Sequence, residues 1–192
     1  PVTALTIRDA GIFAFNFQGE WSEFLKPDFM HNFRVAKDTE WKTDRNFPGN
    51  SSKMRFYAYS PYNCEGVSVS PKEYSGAPAI IYTVPSSVYS QQDLLVGKTQ
   101  DIVCSTAPKQ IELNFNHALT AVKFVTGSDL AKGQIKSLMI SGVYTKGKCS
   151  LDYSSAPQWS DLSLKGDFSL MLNRPSIGTS GEMITSEEQT FM

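Results

Sequence analysis

The sequence predicts an all-β protein, built as a sandwich or barrel, and three observations carry that prediction. Apolar and polar residues alternate with a period of two along much of the chain, as in residues 12–17, where three phenylalanines share one face. Amphipathic helix patterns are nearly absent, and only residues 21–24 and 129–132 suggest short helices. Turn-forming groups such as residues 47–50 and 60–63 separate the strand-like runs.

The strands of the first half follow from this alternation. After residues 12–17, a second strand carries Phe29, Phe33 and Val35, with His31 in the same phase. Residues 54–59 place apolar side chains on one face and two tyrosines on the other, which is typical of a central strand with two buried faces. Residues 79–84 form a β-branched run that Pro85 closes.

The second half gives a less regular pattern. Ile111, Leu113 and Phe115 alternate with polar residues, and the following apolar positions take the opposite phase, which predicts a bulge or bend at residues 117–119. Residues 135–144 predict another strand. The glycine in residues 146–148 then predicts a turn into a strand over residues 149–153.

The composition changes near residue 176. Residues 1–175 read as one β-sandwich domain, and residues 176–192, rich in Ser, Thr, Gly and Glu, read as a linker or the start of a second β domain. The sequence starts at Pro1 rather than at methionine, so we expect further residues upstream, where an export signal could lie.

Composition and charge exclude several classes of protein. The 192 residues are 41% hydrophobic, enough for a core, and the net charge of −1 gives no attraction to nucleic acid or to an anionic membrane. No run approaches the ~20 apolar residues of a membrane helix. Cys64, Cys104 and Cys149 lack zinc-ligand spacing, and three reduced thiols are favoured over one disulfide and a free thiol.

Motifs for catalysis or cofactor binding are absent from the sequence. His117 follows an apolar strand and predicts a structural histidine bonded to the backbone rather than a general base or metal ligand, and His31 has no recognisable partner. The neighbouring carboxylates of Asp38 and Glu40, like those of residues 187 and 188, indicate a solvated surface. We therefore predict no catalytic residue, no metal and no cofactor.

The aromatic residues leave two interpretations open. Trp21, Trp41 and Tyr62 are candidate exposed binding residues, because aromatic rings stack on the C–H faces of sugars. The alternative is that each tryptophan plugs an end or edge of the sandwich, with its indole N–H satisfied.

Five segments in register resemble the fimbrillin-like family of Bacteroidales surface proteins. Residues 11–15 (GIFAF) are similar to the family's early strand, and Trp41 followed by Phe47-Pro48 and by residues 54–61 (MRFYAYSP) is similar to its aromatic block. Residues 93–96 (DLLV) and 113–124 (LNFNHALTAVKF) match two further elements, and residues 140–143 with Gly147 and Trp159 fit the segment after them. The resemblance covers about residues 11–160 and includes a histidine, His117, that it implies is structural.

The resemblance implies the N-terminal domain of a secreted lipoprotein with a transthyretin-like, Greek-key β-sandwich. It implies a fimbrial (pilus) subunit at the cell surface and outer membrane, with other fimbrial subunits as partners and no enzymatic activity. Membrane contact would come only through an upstream lipid anchor.

Assembly in that family implies strand donation, in which a strand from a neighbouring subunit fills a groove. Val2, Ala4 (or Leu5) and Ile7, next to Arg8, form the candidate assembly segment; in the family, the arginine at which cleavage occurs usually lies further upstream. A host or bacterial surface protein or glycan is a further candidate partner. The alternative function is a glycan-binding β-sandwich module of a surface lipoprotein.

Overall fold

The computed structural model describes residues 7–106, 110–128, 133–172, 180–186 and 189–192. Those residues form two antiparallel sheets, which confirms the predicted all-β sandwich. The strands are β1 (Asp9–Phe17), β2 (Met30–Ala36), β3 (Lys53–Ser60), β4 (Val67–Val69), β5 (Ala79–Thr83), β6 (Leu95–Lys98), β7 (Ile102–Val103), β8 (Asn114–His117), β9 (Ser137–Ser150) and β10 (Trp159–Met171). Two short 3-10 turns, Val88–Ser90 and Cys104–Thr106, lie between the strands.

The first sheet has the order β2-β1-β3-β6-β8, and the short β7 also pairs with β3. Its central strands bury both faces, as the sequence of β3 suggested. Phe13 and Tyr57 point toward the second sheet, whereas Ile12 and Phe56 point to an outer apolar cluster on the opposite face. Residues from 29 to 47 and from 102 to 115 contribute to that outer cluster and cover this face of the sheet.

The second sheet has the order β10-β9-β5-β4. β9 and β10 form a hairpin of 14 and 13 residues, much longer than the five-residue β5 beside it. Two register shifts interrupt the β9–β10 pairing, between Ser160 and Ser163 and between Gly166 and Phe168. The hairpin therefore extends well beyond the part of the sheet that β5 covers.

The inner core lies between the two sheets. Its fully buried members are aromatic and aliphatic side chains from both sheets: Phe13, Phe15, Tyr57, Tyr59, Ile80, Tyr82, Leu94, Val96 and Leu151. Polar contacts also join the sheets, because Lys98 forms an ion pair with Asp152 and the Tyr153 hydroxyl donates to the Val96 carbonyl oxygen at 3.1 Å.

A third cluster lies under the far half of the hairpin. Phe168 and Leu170 of β10 pack there with Ile184 and Phe191. Backbone hydrogen bonds link residues 122–126 to residues 181–191, for example Val122 N–H to the Phe191 oxygen at 2.9 Å. The domain boundary at residue 175 stays a prediction.

Three predictions of local structure are wrong. His31 does not share a face with Phe33, because Asn32 between them adopts a positive φ of 46° and turns the chain over. The His31 ring instead meets Phe13 edge-on, and its Nε2 lies 2.8 Å from the Ser70 carbonyl oxygen. Residues 21–24 form a turn, closed by the Leu25 N–H on the Ser22 oxygen, rather than a helix. Residues 146–148 lie inside β9 rather than in a turn.

Other predictions have mixed outcomes. The predicted bend at residues 117–119 is confirmed, since β8 ends at His117 and the chain bends at Leu119. All three cysteines are unpaired. The predicted helix at residues 129–132 lies outside the described residues, as do the carboxylates of residues 187 and 188. Among the described residues, no helix is long and apolar enough to cross a membrane.

Candidate functional site

An apolar groove of about 380 Å³, here called the hairpin groove, lies against the inner face of the second sheet. Its floor comes from β5, β9 and β10, with Tyr82, Ile140, Val143 and Phe168 among the lining side chains. One wall is the segment of residues 118–122, which follows β8 of the first sheet. Phe191 and Met192 also line it. The groove thus lies where the two sheets meet on the β8–β10 side of the sandwich.

Gly147 is needed for the shape of this groove. It pairs with Tyr82 in β5, and a Cβ added to it would lie 3.0 Å from atoms of both Trp159 and Leu162. A glycine in a strand commonly marks such a close approach. Gly147, which predicted a turn, therefore serves the close packing of the hairpin at the groove.

Trp159 is held in place at the groove by a hydrogen bond to the opposite sheet. Its indole Nε1–H donates to the Ala118 carbonyl oxygen at 2.6 Å, and its ring lies 6.3 Å from the Tyr82 ring. A buried indole commonly has such a partner, and here the bond fixes the distance between β10 and the wall. Burial raises the pKa of Tyr82 to about 12, so this phenol stays neutral at physiological pH.

The backbone on both sides of the groove carries unpaired hydrogen-bonding groups. β10 is the edge of its sheet and pairs only with β9 in the described part of the chain. Within the same residues, the N–H groups of residues 119–121 meet no backbone acceptor, although Ala118 and Val122 on either side do. Free strand edges of this kind are templates for an added strand.

The rim of the groove exposes large apolar side chains. Leu162 is 49% exposed and Tyr144 is 53% exposed, and both line the groove. Lys165 lies over the Tyr144 ring at 5.0 Å, and Lys146 is a further lining residue. The site is therefore apolar inside, with positive charge at its rim, and is suited to binding an extended apolar segment.

The N-terminal candidate segment lies elsewhere. Ile7 is buried, Arg8 is exposed, and the Arg8 carbonyl oxygen accepts from the Lys37 N–H at 2.7 Å. These residues lead directly into β1, which lies between β2 and β3 inside the first sheet. Val2 and Leu5 lie outside the described residues.

The three candidate binding aromatics do not come together. Trp21 packs edge-on against Phe15 at 5.0 Å, Arg55 covers its ring at 4.3 Å, and its indole donates to Glu23 at 3.0 Å. It occupies the end of the sandwich near the end of β1.

Tyr62 and Trp41 occupy two other places. Tyr62 stacks on Tyr59 at 6.4 Å, with Arg34 5.7 Å above its ring, near the start of β1. Trp41 is 40% exposed on the outer face of the first sheet, where it lines a separate cavity. The three residues form no common platform.

His117 has a different partner from the predicted backbone group. Its Nδ1 lies 2.7 Å from Oδ2 of Asp93, whose side chain is nearly buried, while the imidazole is half exposed. The pair connects the end of β8 to the start of β6 and orients the imidazole. Among the described residues, no three His, Cys, Asp or Glu side chains form a group that could hold a metal ion.

The sequence pattern does not predict β10, the strand that forms the edge of this site. Its two register shifts and the positive φ angles at Asp161 and Leu164 interrupt the period-two alternation. The available signal was pairing rather than pattern, because β9 extends well beyond the five residues of β5 and a strand of that length needs a second partner.

Comparisons with known proteins give two findings. The sequence model of a family described as fimbrillin-like matches residues 8–184. The crystal structure of a fimbrial protein from Bacteroides vulgatus matches with a TM-score of 0.72 and 21% sequence identity, covering 95% of this chain and 69% of that one. At this identity the structural likeness shows a shared fold. A comparison with the curated proteins finds no match.

Proposed function

The chain belongs to the fimbrillin-like family, and on that premise we propose that it is a structural and adhesive subunit of a bacterial surface fimbria, joined to its neighbours by β-strand donation. Membership of the family supports a fimbrial, cell-surface protein without enzymatic activity. The proposal adds the mode of assembly, with other fimbrial subunits as partners. It also puts the chain at the outer membrane, held there only through an upstream lipid anchor.

The observation that carries strand donation is the hairpin groove, an apolar trough bordered by unpaired backbone. An added strand needs hydrogen-bonding partners along its backbone and pockets for alternate side chains. The free edge of β10 and residues 119–121 supply the first, and the apolar floor beneath them supplies the second. We commit to an extended, mainly apolar strand of another fimbrial subunit as the occupant.

Energetics favour an apolar donor at this place. Each buried CH₂ group of a donated strand contributes about 0.8 kcal/mol, and each new backbone hydrogen bond about 1 kcal/mol. Because a strand donor contributes several of both, its insertion yields a stable joint without a large flat interface. The lysines at the rim, Lys146 and Lys165, would favour a donor with an acidic residue beside its apolar ones.

The segment of Val2, Leu5, Ile7 and Arg8 remains part of the proposal as an exchange segment. Its position supports this role, because it continues directly into β1 and the Arg8 carbonyl oxygen accepts from the N–H of Lys37, the residue after β2. Glycan binding is not proposed as a second function, since the candidate aromatics Trp21, Trp41 and Tyr62 lie in three separate places.

Charge substitutions at the rim test the proposal. Leu162→Glu and Tyr144→Glu place a carboxylate where the donated strand would lie, and Met139→Glu, on the same hairpin but outside the groove, is the matched control. Each variant is made in a strain that assembles these fimbriae, and the sheared fimbrial fraction is immunoblotted for the subunit. Thermal unfolding of the purified variants verifies that all three fold.

We expect the two rim variants to lower the amount in fimbriae about tenfold or more, since a donated strand would have to desolvate the new carboxylate, and desolvation of an ion costs several kcal/mol. Met139→Glu should assemble normally. Normal assembly of both rim variants at unchanged Tm would show that the groove does not receive a strand.

A further inference from the structure

A second cavity, of about 490 Å³, lies on the outer face of the first sheet. We call it the outer cavity. We propose that it binds a single-chain amphiphile with an anionic head group, of which a fatty acid is the simplest example. The proposal is independent of fimbrial assembly, because this cavity and the hairpin groove share no residue.

Part of the sheet beneath the cavity carries small side chains. Ala10 and Ile12 of β1 form part of its floor, and the neighbouring outward positions of β1 and β3 are also small at Ala14 and Ala58. Larger groups arch over this floor from the segment of residues 41–47 and from residues 110–115. The covering segments therefore stand off from the sheet and leave space.

The walls of the cavity are mainly aromatic. Phe47 meets Phe56 edge-on at 6.1 Å, and Phe29 and Phe115 are further lining residues. Trp41 lies at the mouth, 40% exposed. An apolar cavity of about 300–1,000 Å³ with a few polar groups is typical of small-molecule sites. The interior would accept an alkyl chain.

The charge at the mouth selects the head group. Among the described residues that line the cavity, Lys42 and Arg45 are the ionisable ones, and Asp44 between them is not a lining residue. Lys42 pairs with Glu40 at 3.0 Å, but both side chains are largely exposed, and such a surface pair contributes little. Arg45 lies 5.4 Å from the centre of the Phe33 ring, beside the outer cluster.

These cations provide charge-assisted hydrogen bonds for a carboxylate at the end of an alkyl chain. Asn46, Thr43 and Gln110 are polar lining residues with further donors. The chemistry therefore favours an anion over a neutral or cationic head group of the same chain length.

Three probes with one chain length test the head group. Dodecanoate, 1-dodecanol and dodecyltrimethylammonium are titrated separately, below their micelle-forming concentrations, into the purified chain by calorimetry. We expect dodecanoate to bind about tenfold more tightly than 1-dodecanol, and the cation to bind most weakly. Equal affinity for all three probes, or no binding of dodecanoate, would overturn the proposal.

Variants locate the binding. Lys42→Gln combined with Arg45→Gln should abolish the preference for dodecanoate, whereas Lys72→Gln, which is outside the cavity, should not. Trp41→Phe should keep binding but remove the change in tryptophan fluorescence on addition of dodecanoate. Ala10→Leu should fill the floor and block the alkyl chain.

Thermal unfolding shows whether the Ala10→Leu protein has folded. If it has not, the Lys42→Gln, Arg45→Gln double variant alone tests where dodecanoate binds. Unchanged preference for dodecanoate in that variant would also overturn the proposal.

Discussion

The β1–β3 pair at the centre of the first sheet and the β9–β10 hairpin are both antiparallel, yet they differ in strand partners and in side-chain burial. β1 and β3 have partners on both edges and buried side chains on both faces. β10 pairs only with β9 in the described chain, and Leu164 and Met171 on it are 62% and 76% exposed. Within the described residues, the first region is paired and buried on all sides, whereas the hairpin exposes apolar surface and an unpaired strand edge, the place where we propose that another subunit binds.

The largest expected difference between the two regions is in the loss of stability when one side chain of each is truncated to alanine. Phe13→Ala removes a ring that is fully buried between Tyr59 and His31, and we expect it to lower the free energy of unfolding by about 3–5 kcal/mol. Leu164→Ala, on the exposed hairpin, should cost less than about 0.5 kcal/mol. Urea denaturation measures both free energies of unfolding, and losses of similar size would contradict the difference between the two regions.

Alkaline pH should weaken the packed core next. Burial raises the pKa of the Cys64 and Cys149 thiols to about 11 and that of Tyr59 to about 12. Because the unfolded values are 9.0 for the thiols and 10.0 for the phenol, the folded state binds more protons over this range. Stability should therefore be complete below pH 9 and fall as pH rises through about 11 and then about 12.

Denaturation at pH 8, 10 and 11 checks this prediction, and Cys149→Ala should reduce the loss between pH 9 and 11. Stability that stays constant up to pH 11 in the parent protein would show that these groups are not buried as described.

Glycine substitutions compare the tightness of packing in the two regions. A Cβ on Gly11 would overlap the Tyr59 ring and lie 2.6 Å from Oδ1 of Asn32, and the Tyr59 hydroxyl already donates to that oxygen at 2.8 Å. We expect Gly11→Ala to cost about 3 kcal/mol and Gly147→Ala, with contacts of 3.0 Å to side chains of the hairpin, about 1 kcal/mol. Gly127→Ala, with no atom within 4 Å, is the control. A larger cost at Gly147 than at Gly11 would reverse the ranking.

The sequence predicted the first region well because its pattern is regular. Alternation over residues 12–17 and 54–59 places Phe13 and Tyr57 on one face and Phe56 on the other, and that period follows directly from strand geometry. The failure at His31, on the neighbouring β2, comes from one residue, Asn32, whose positive φ turns the chain over. No local sequence pattern predicts this positive φ, although asparagine adopts it more readily than most residues.

The hairpin and the groove could not be predicted in the same way. Two register shifts interrupt the pairing of β10, so its apolar residues do not keep one phase. In the sequence, a glycine at position 147 is equally compatible with a turn and with a strand that packs closely against Trp159. The contact between Trp159 and Ala118 joins residues far apart in the chain. Such contacts depend on how the sheets pack, which composition and periodicity do not specify.

The most direct test of the central claim is cryo-electron microscopy of fimbriae that contain this chain. We predict an extended strand of another subunit along the free edge of β10, with apolar side chains over Trp159 and Phe168 and backbone hydrogen bonds to β10 or to residues 119–121. Subunits joined through another surface, with the hairpin groove lined only by the chain's own residues, would contradict the claim.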